Sequence, residues 1–435
     1  MKNRILVFIC LVPLFSIAQS VKGTFSPADD FTYAFLYKAT PEGADYINRG
    51  QLDKTGSFEI TLDSTITPGI YKIVYAIPPE ENSFDFIYDG KETVAFNFSY
   101  NKGVQFLESE ENKLWLSYLK SMEMVNRTIS NYYAKGQLDK EGFTSIFKVL
   151  KDTQQAYEAS AQDKLVNIFI IANRPYIPKG FEDVSTYSKN LKEHFLSGID
   201  FSNNLLQSSS FLVDRINAFV FNMVENPTDD TYKSHIDDVA DAISDNTLII
   251  KTSLMEILWQ RFVALKNHDM ANYIADRYLL DLAIKTENKV IEQSIISYKN
   301  TSIGTKAPNF KILLGDTQTS LHQLDGAEHY LLIFWSSGCS HCLNELPEVK
   351  ALAANQPNLK VVAYGLEDND VMWSEVIKNY PDFIHVFGLG KWENQMVQTY
   401  GIAATPTYFL LDSDKVITAK PYDYEDLEKL LKATH

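Results

Sequence analysis

Two cysteines that lie close together in the sequence, Cys339 and Cys342, are the residues of this chain best suited to chemistry. They occur in the segment FWSSGCSHCLNELP, residues 334–347, and are separated by Ser340 and His341. A pair at this spacing can exchange disulfides, ligate a metal ion or form a structural bridge. Which of these it does depends on the elements that hold the two thiols.

The residues on either side of the pair predict a buried strand followed by a helix. The run HYLLIFW is apolar at almost every position, as in a strand buried on both faces, and CLNELPEVKALAA has helical spacing. This helix should begin at about Cys339, and its interior Pro347 should bend it without ending it. The apolar segments LKVVAYGL and FIHVFGL and the hairpin-like GIAATPTYFLLDSDKVITAKPYD complete the pattern of an α/β domain.

A helix that begins at Cys339 would give the two cysteines different roles. Free backbone N–H groups and the positive end of the helix dipole favour the thiolate, so Cys339 is the predicted nucleophile. Cys342 lies nearly one turn further on and is predicted to resolve a mixed disulfide. A positive charge on His341 would stabilise the thiolate further and make the pair more oxidising. Glu345, three residues after Cys342, is placed to relay a proton to or from the resolving thiol.

The N-terminus and the overall charge limit where such a pair would work. Lys2 and Arg4, the apolar run that follows them and the small residues before the cleavage point predict a signal peptide, residues 1–19, cleaved after Ala18 or within two residues of it. An uncleaved membrane anchor is less favoured because the run is shorter than the ~20 residues that span a bilayer. Acidic residues outnumber Lys plus Arg by 56 to 40, which argues against nucleic acid as a partner.

The chain falls into three regions of different hydrophobic pattern after the signal peptide. Residues 20–107 alternate with period two and predict a small β-sandwich, whose aromatic stripe Phe31, Tyr33, Phe35 and Tyr37 should face the core, although a ligand surface is the alternative. Residues 108–300 have helical periodicity and predict a helical region. In it, Asp269 is the expected N-cap of a helix that starts at Met270. Residues 301–435 form the α/β domain that contains the cysteine pair.

This last region resembles a known family. Residues 302–435 are similar to the thioredoxin-fold domain of the TlpA/ResA/DsbE group, which are exported bacterial thiol-disulfide oxidoreductases. The similarity rests on GTKAPNF, on FWSSGCSHC, on Pro347 five residues after the second cysteine, and on YGIAATPTYFLLD at 400–412. More loosely, the two preceding regions resemble the β-rich domain and helical region that often precede such domains.

The resemblance implies roles for residues far from the cysteines in sequence. The proline that matches Pro406 is cis in the family and packs opposite the disulfide, and Thr405 presents its backbone to an extended substrate segment. Glu345 matches the family's active-site glutamate, in agreement with its spacing. Trp335 and His341 complete the predicted substrate-binding residues.

The resemblance also implies a mode of action. We expect a periplasmic enzyme that has no cofactor other than a redox-active disulfide between Cys339 and Cys342, and no resident metal. Its substrates would be protein thiols and disulfides. It would act as a reductant of these substrates, and a membrane-bound donor would supply its electrons. Two departures from related sequences are Gly338, where many members have Trp, and Ile333, where cytosolic thioredoxins keep a buried Asp. The second departure leaves Glu345 as the expected proton relay.

The same residues could also support other chemistries. A structural disulfide is disfavoured by the position of the pair between a buried strand and a helix. Peroxide reduction would require a proline at Leu332, seven residues before the first cysteine. The alternative function is that of a copper or zinc carrier of the cell envelope. Its ligands would be Cys339, Cys342 and His341, with His385 or His322 as the fourth.

Overall fold

The structure is a computed structural model that describes residues 19–79, 81–136, 139–244 and 247–433. The chain divides into two compact units, Met1–Ile257 and Leu258–His435. The predicted signal peptide, apart from Gln19, lies outside the described residues. Within the four described ranges, no helix combines the length and the apolar character that crossing a membrane requires.

The N-terminal region consists of two four-stranded sheets. One sheet has the order β4-β1-β7-β8, in which β1 and β7 run parallel, and the other has the antiparallel order β3-β2-β5-β6. Its strands are β1 (Ser20–Phe25), β2 (Tyr33–Thr40), β3 (Gly43–Gln51), β4 (Ser57–Thr61), β5 (Gly69–Val74), β6 (Ser83–Tyr88), β7 (Val94–Ser99) and β8 (Gly103–Phe106).

Residues of both sheets share one hydrophobic cluster. Gly23 in β1 is required there, because a Cβ atom at this position would lie 2.4 Å from the ring of Phe58 and 2.6 Å from that of Phe96. Strand β2 has the alternation that the sequence predicts, but the face turned to the core is the other one. Ala34 and Leu36 are fully buried, whereas the aromatic side chains at 33, 35 and 37 are only half-buried. Of the four predicted stripe residues, only Phe31, which precedes β2, lies in the core cluster, and the other aromatic rings of that cluster come from other strands, among them Phe58 and Phe96.

The middle of the chain is helical, as predicted. Its α-helices are α1 (Glu110–Ala134), α2 (Lys140–Ser160), α3 (Asn167–Ala172), α4 (Val184–His194), α5 (Asn204–Gln207), α6 (Phe211–Asn217), α7 (Asp229–Ala242), α8 (Leu248–Ala264), α9 (His268–Ile274), α10 (Leu280–Lys285) and α11 (Lys289–Asn300). The expected N-cap of α9 was wrong by two residues. Asn267, not Asp269, caps this helix, because its side-chain oxygen accepts a hydrogen bond from the Met270 N–H at 3.0 Å.

The C-terminal region alternates strands and helices, and β11 and α12 have nearly the limits that the sequence predicts. Its central sheet has the order β13-β12-β11-β14-β15, in which β11, β12 and β13 are parallel and β14 and β15 form the antiparallel end. The elements are β9 (Lys311–Leu314), β10 (Thr317–Ser320), β11 (His329–Trp335), α12 (Ser340–Ala354), β12 (Leu359–Glu367), α13 (Val371–Val376), β13 (Ile384–Leu389), α14 (Gln395–Tyr400), β14 (Thr407–Asp412), β15 (Ile417–Ala419) and α15 (Tyr424–Ala433).

Successive residues of the central strands belong in turn to two hydrophobic clusters, one on each face of this sheet. Leu332 and Phe334 of β11 belong to one cluster, while Ile333 and Trp335 belong to the other. The second cluster also contains Cys342 of α12. Strand β11 therefore positions the chain so that the first turn of α12 packs on one face of the sheet, directly after the strand ends.

Candidate active site

Cys339 is the N-cap residue of α12. Its Sγ atom accepts a hydrogen bond from the backbone N–H of Cys342 at 3.3 Å, as a capping side chain does. The side chain is partly exposed, and both cysteines are free thiols. The predicted start of the helix is therefore confirmed, and with it the contact between the first sulfur and the helix N-terminus.

The surroundings of Cys339 favour its thiolate. Burial by itself would raise the pKa of this thiol, but hydrogen bonds with the side chain of Cys342 and the side chain of Thr405 outweigh it, helped by the backbone N–H groups of Cys342 and His341. The pKa of Cys339 is therefore below its ordinary value of 9.0. A thiol with a lowered pKa that is partly exposed has the properties of a nucleophile.

Cys342 has the opposite environment. Its side chain is fully buried, and burial together with the neighbouring Cys339 raises the pKa of its thiol to about 12. Two thiols within one helical turn thus differ in exposure and in pKa. This asymmetry suits a pair in which one sulfur attacks an external partner and the other reacts only with the first.

The loop before β14 lies against Cys339. The carbonyl oxygen of Thr405 is 3.3 Å from the Cys339 Sγ atom and accepts its hydrogen bond. The Thr405–Pro406 peptide bond is cis, and both residues are half-buried. The structure therefore brings Thr405 and Pro406 to the cysteine pair, although they are more than sixty residues away in sequence.

Glu345 lies on the same helix and is held by a residue that the sequence did not indicate. The Tyr408 hydroxyl donates a hydrogen bond to the Oε2 atom of Glu345 at 2.6 Å. Glu345 is half-buried, and Tyr408 is buried in the cluster that contains Cys342. The carboxylate is therefore bonded to a residue of the same cluster that buries the resolving thiol.

A second carboxylate, Glu367, holds the loop that leads to Cys339. It is 6% exposed and accepts hydrogen bonds from the backbone N–H of Ser337 and from the Ser337 hydroxyl, the latter at 2.9 Å. Sequence reasoning missed this residue. The signal in the sequence was an acidic residue that directly follows the apolar run VVAYGL at the end of β12, where a buried charge is retained only if it has partners.

The two other predicted substrate-binding residues, His341 and Trp335, differ in their exposure to solvent. His341 is exposed beside the pair, but it is its backbone N–H that helps lower the pKa of Cys339. Trp335 is 1% exposed and lies in the cluster beneath Cys342, so its predicted role as a substrate contact is wrong for this structure. As the last residue of a strand buried on both faces, it packs in the core and supports the turn.

The histidines considered as further metal ligands bond elsewhere. The Nε2 atom of His385 lies 2.8 Å from the carbonyl oxygen of Tyr380, and that of His322 lies 2.7 Å from the carbonyl oxygen of Ala307. In the part of the chain that the structure describes, no three His, Cys, Asp or Glu side chains are grouped as a metal ion would require. The geometry therefore does not assemble the metal-carrier site.

Comparisons with known proteins agree with the site. Residues 302–433 match the Redoxin family model. Thiol-disulfide oxidoreductase ResA of Bacillus thuringiensis is 29% identical over 136 residues, which are 30% of this chain and 77% of that protein.

Two solved structures are also similar. A domain of a possible thiol-disulfide isomerase from Cytophaga hutchinsonii is 31% identical, with 31% of this chain and 92% of that chain covered and a TM-score of 0.27. A putative thiol:disulfide interchange protein DsbE from Chlorobium tepidum is 26% identical, with 30% and 96% covered and a TM-score of 0.27.

Proposed function

Because residues 302–433 form a redoxin domain of the thioredoxin-like thiol-disulfide oxidoreductases, we propose that this protein exchanges disulfides with client proteins through Cys339 and Cys342. The observation that carries the proposal is the opposite direction of the two pKa shifts within one helical turn. The thiolate is the attacking species, so Cys339 starts the reaction while Cys342 stays protonated until the mixed disulfide has formed.

The proposed cycle runs in the reducing direction. The Cys339 thiolate attacks a client disulfide, forms a mixed disulfide and releases one client sulfur as thiolate. Cys342 then loses its proton, through Glu345, and attacks the Cys339 sulfur, which releases the second client sulfur. The client disulfide is reduced by two electrons, and the two cysteines are oxidised to the Cys339–Cys342 disulfide. The cycle therefore requires no other cofactor. A membrane-bound donor would supply two electrons to reduce it again.

The environment of His341 supports the reducing direction. An imidazolium charge packed against the thiolate would stabilise the reduced form and make the couple more oxidising. Here the imidazole is exposed, where solvent weakens its field. We therefore expect a reduction potential more negative than the about −180 mV of protein disulfide isomerase. Equilibration with glutathione buffers measures it, and a potential near −120 mV, typical of a strong oxidant, would reverse the proposed direction.

The proposal includes export to the periplasm and a β-sandwich at the N-terminus. Lys2, Arg4 and the apolar run that follows support export, and β1 begins at Ser20, just after the proposed cleavage point at Ala18. The hydrophobic cluster shared by the two N-terminal sheets supports the sandwich. The N-terminal sequence of protein recovered from the periplasmic fraction tests the cleavage point.

A trapping experiment tests the exchange mechanism. The Cys342→Ala variant should accumulate mixed disulfides with client proteins, because its Cys339 can attack but the product cannot be resolved. Cys339→Ala should form none. Ser340→Ala, which changes the exposed residue between the cysteines and keeps both thiols, is the matched control and should behave like the wild type. If Cys342→Ala accumulates no mixed disulfide that Cys339→Ala abolishes, the mechanism is wrong.

A further inference from the structure

Tyr408 has a phenol hydroxyl in a place where a polar atom must have a partner. It is the second residue of β14, opposite Ile333 of β11, and is 1% exposed. Its ring belongs to the same cluster as Cys342 and Trp335. A buried hydroxyl without a hydrogen bond costs free energy, so the partner it selects is informative.

The partner of this hydroxyl is the carboxylate of Glu345, at 2.6 Å. Burial and, after it, the hydrogen bond to Glu345 raise the pKa of Tyr408 far above its ordinary value, so the phenol keeps its proton and remains the donor. An O–H group that donates to a carboxylate forms a short, charge-assisted hydrogen bond. The other titratable groups that influence Tyr408 are Cys342 and Asp423.

A neighbour on the same helix shows what this bond changes. Glu348, three residues after Glu345, is exposed, as a glutamate on a solvated helix face usually is. Glu345 is half-buried although it has the same side chain and the same helical backbone. Of the two, it is Glu345 that accepts a hydrogen bond from Tyr408, whose ring lies in the cluster that buries Cys342.

We propose that Tyr408 is a positioning residue that holds the Glu345 carboxylate where it can accept the proton of Cys342, an inference that rests on the proposed exchange function. In the resolving step the Cys342 thiol transfers its proton to Glu345. The Cys342 thiolate then attacks the Cys339 sulfur of the mixed disulfide, forming the Cys339–Cys342 bond and breaking the bond to the client. The departing client thiolate takes up a proton from Glu345 or from water.

The two steps can be measured separately with the chromogenic disulfide DTNB. At one equivalent of DTNB per reduced protein, attack by Cys339 releases a first thionitrobenzoate, and resolution by Cys342 releases a second. Tyr408→Phe removes only the hydroxyl. It should leave the first release unchanged and slow the second about tenfold near neutral pH, which is part of the effect that a well-placed base supplies. The slowing should diminish as the pH rises, because hydroxide then deprotonates Cys342 directly.

A double variant tests whether the two residues act together. Glu345→Gln should also slow the second release, and Tyr408→Phe combined with Glu345→Gln should be no slower than Glu345→Gln alone, because both substitutions disable one device. Tyr400→Phe is the matched control. Tyr400 is 2% exposed in the same domain, and its hydroxyl donates to the carbonyl of Pro308, so both releases should stay at the wild-type rate.

Three outcomes would overturn the proposal. An unchanged second release in Tyr408→Phe would show that Glu345 needs no positioning by the phenol. Equal slowing of both releases would assign Tyr408 a structural role only. If the two substitutions slowed the second release additively in the double variant, Tyr408 and Glu345 would act independently of each other. Failure of the proposed function is distinguishable from all three, because Cys342→Ala would then trap no client protein, whatever the rates of the two thionitrobenzoate releases.

Discussion

The N-terminal sheets and the C-terminal domain both have cores rich in aromatic rings, but they differ in the polar atoms buried among those rings. In the N-terminal cluster, Phe25 contacts the rings of Phe31, Phe58, Phe96 and Phe98, all hydrocarbon. The buried phenols of this cluster, Tyr71 and Tyr88, donate hydrogen bonds to neutral acceptors, the carbonyl of Thr67 and the side-chain amide of Gln19. In the C-terminal domain the cluster around Cys342 contains a thiol and a phenol that donates to a carboxylate. Of these two clusters, the second is the one that combines a thiol with a carboxylate able to accept a proton.

The difference teaches how to separate function from packing in a chain with many aromatic residues. Aromatic burial stabilises a fold at no electrostatic cost, so it says little about chemistry. A buried carboxylate or thiol must be compensated by specific partners, as Glu367 is by Ser337. Glu111 in α1 is compensated in this way by the backbone N–H groups of Leu165 and Val166, so compensation marks function only where a reactive group is present as well, as at the cysteine pair.

The largest expected effect compares the two thiols. With a pKa below 9.0 for Cys339 and about 12 for Cys342, the thiolate fractions at neutral pH differ by at least about a thousandfold. Iodoacetamide should therefore alkylate Cys339 at least about a thousand times faster than Cys342 in the reduced protein, as followed by mass spectrometry.

The pH dependence of this reaction has a defined sign. Because the pKa of Cys339 is lowered, its alkylation rate should rise with pH and reach half its maximum below pH 9.0. Cys342 should stay unmodified over that range, since its thiol ionises only near pH 12. Cys342→Ala provides the control for a single thiol. If both cysteines were alkylated at comparable rates, the two thiols would not differ in pKa and exposure as described. The C-terminal core would then lack the distinction between an attacking and a resolving thiol.

The next effect separates stability from chemistry. Phe96→Ala in β7 removes a ring that is 1% exposed and contacts Phe58 and Phe84, so we expect the protein to lose about 3–4 kcal/mol of stability. The rate at which Cys339 reacts with DTNB should not change. Thermal denaturation and the DTNB assay measure the two quantities on one sample. A slower thiol in folded Phe96→Ala protein would mean that the N-terminal core contributes to the chemistry.

The sequence predicted those parts of the C-terminal domain that local pattern determines. HYLLIFW gave the full extent of β11, since a strand buried on both faces is apolar throughout. The helix start at Cys339 followed from the strand that ends just before it. Pro347 lies inside α12, which continues to Ala354, so the prediction that this proline does not end the helix is confirmed.

Features that depend on tertiary packing were not predictable in this way. Period-two alternation grouped the aromatic residues of β2 correctly on one face, but it does not state which face the second sheet covers. The contact between Glu345 and Tyr408 joins residues 63 positions apart and depends on the register of β14 against β11. Asn267 replaced Asp269 as a cap because helix ends are set by backbone geometry, to which several polar residues are suited.

The smallest effect concerns the buried carboxylate that no pattern indicated. Glu367→Gln keeps the size of the side chain but removes its charge, which weakens the bonds from Ser337, and should cost about 1–2 kcal/mol in denaturant unfolding of the reduced protein. Glu348→Gln, at an exposed position of α12, is the matched control and should stay within about 0.5 kcal/mol of wild type.

The same variant should also slow the reaction of Cys339. The Cys339 N–H donates to the carbonyl of Ser336 at 3.1 Å, so the turn that Glu367 anchors is the turn that places the nucleophile. We expect the first DTNB release to fall a few-fold in Glu367→Gln and to stay unchanged in Glu348→Gln. Equal behaviour of the two variants would mean that burial does not distinguish these carboxylates. If Glu367→Gln lost stability but its first DTNB release kept the wild-type rate, the role of Glu367 would be to stabilise the fold only. The turn would then keep its geometry without the charge.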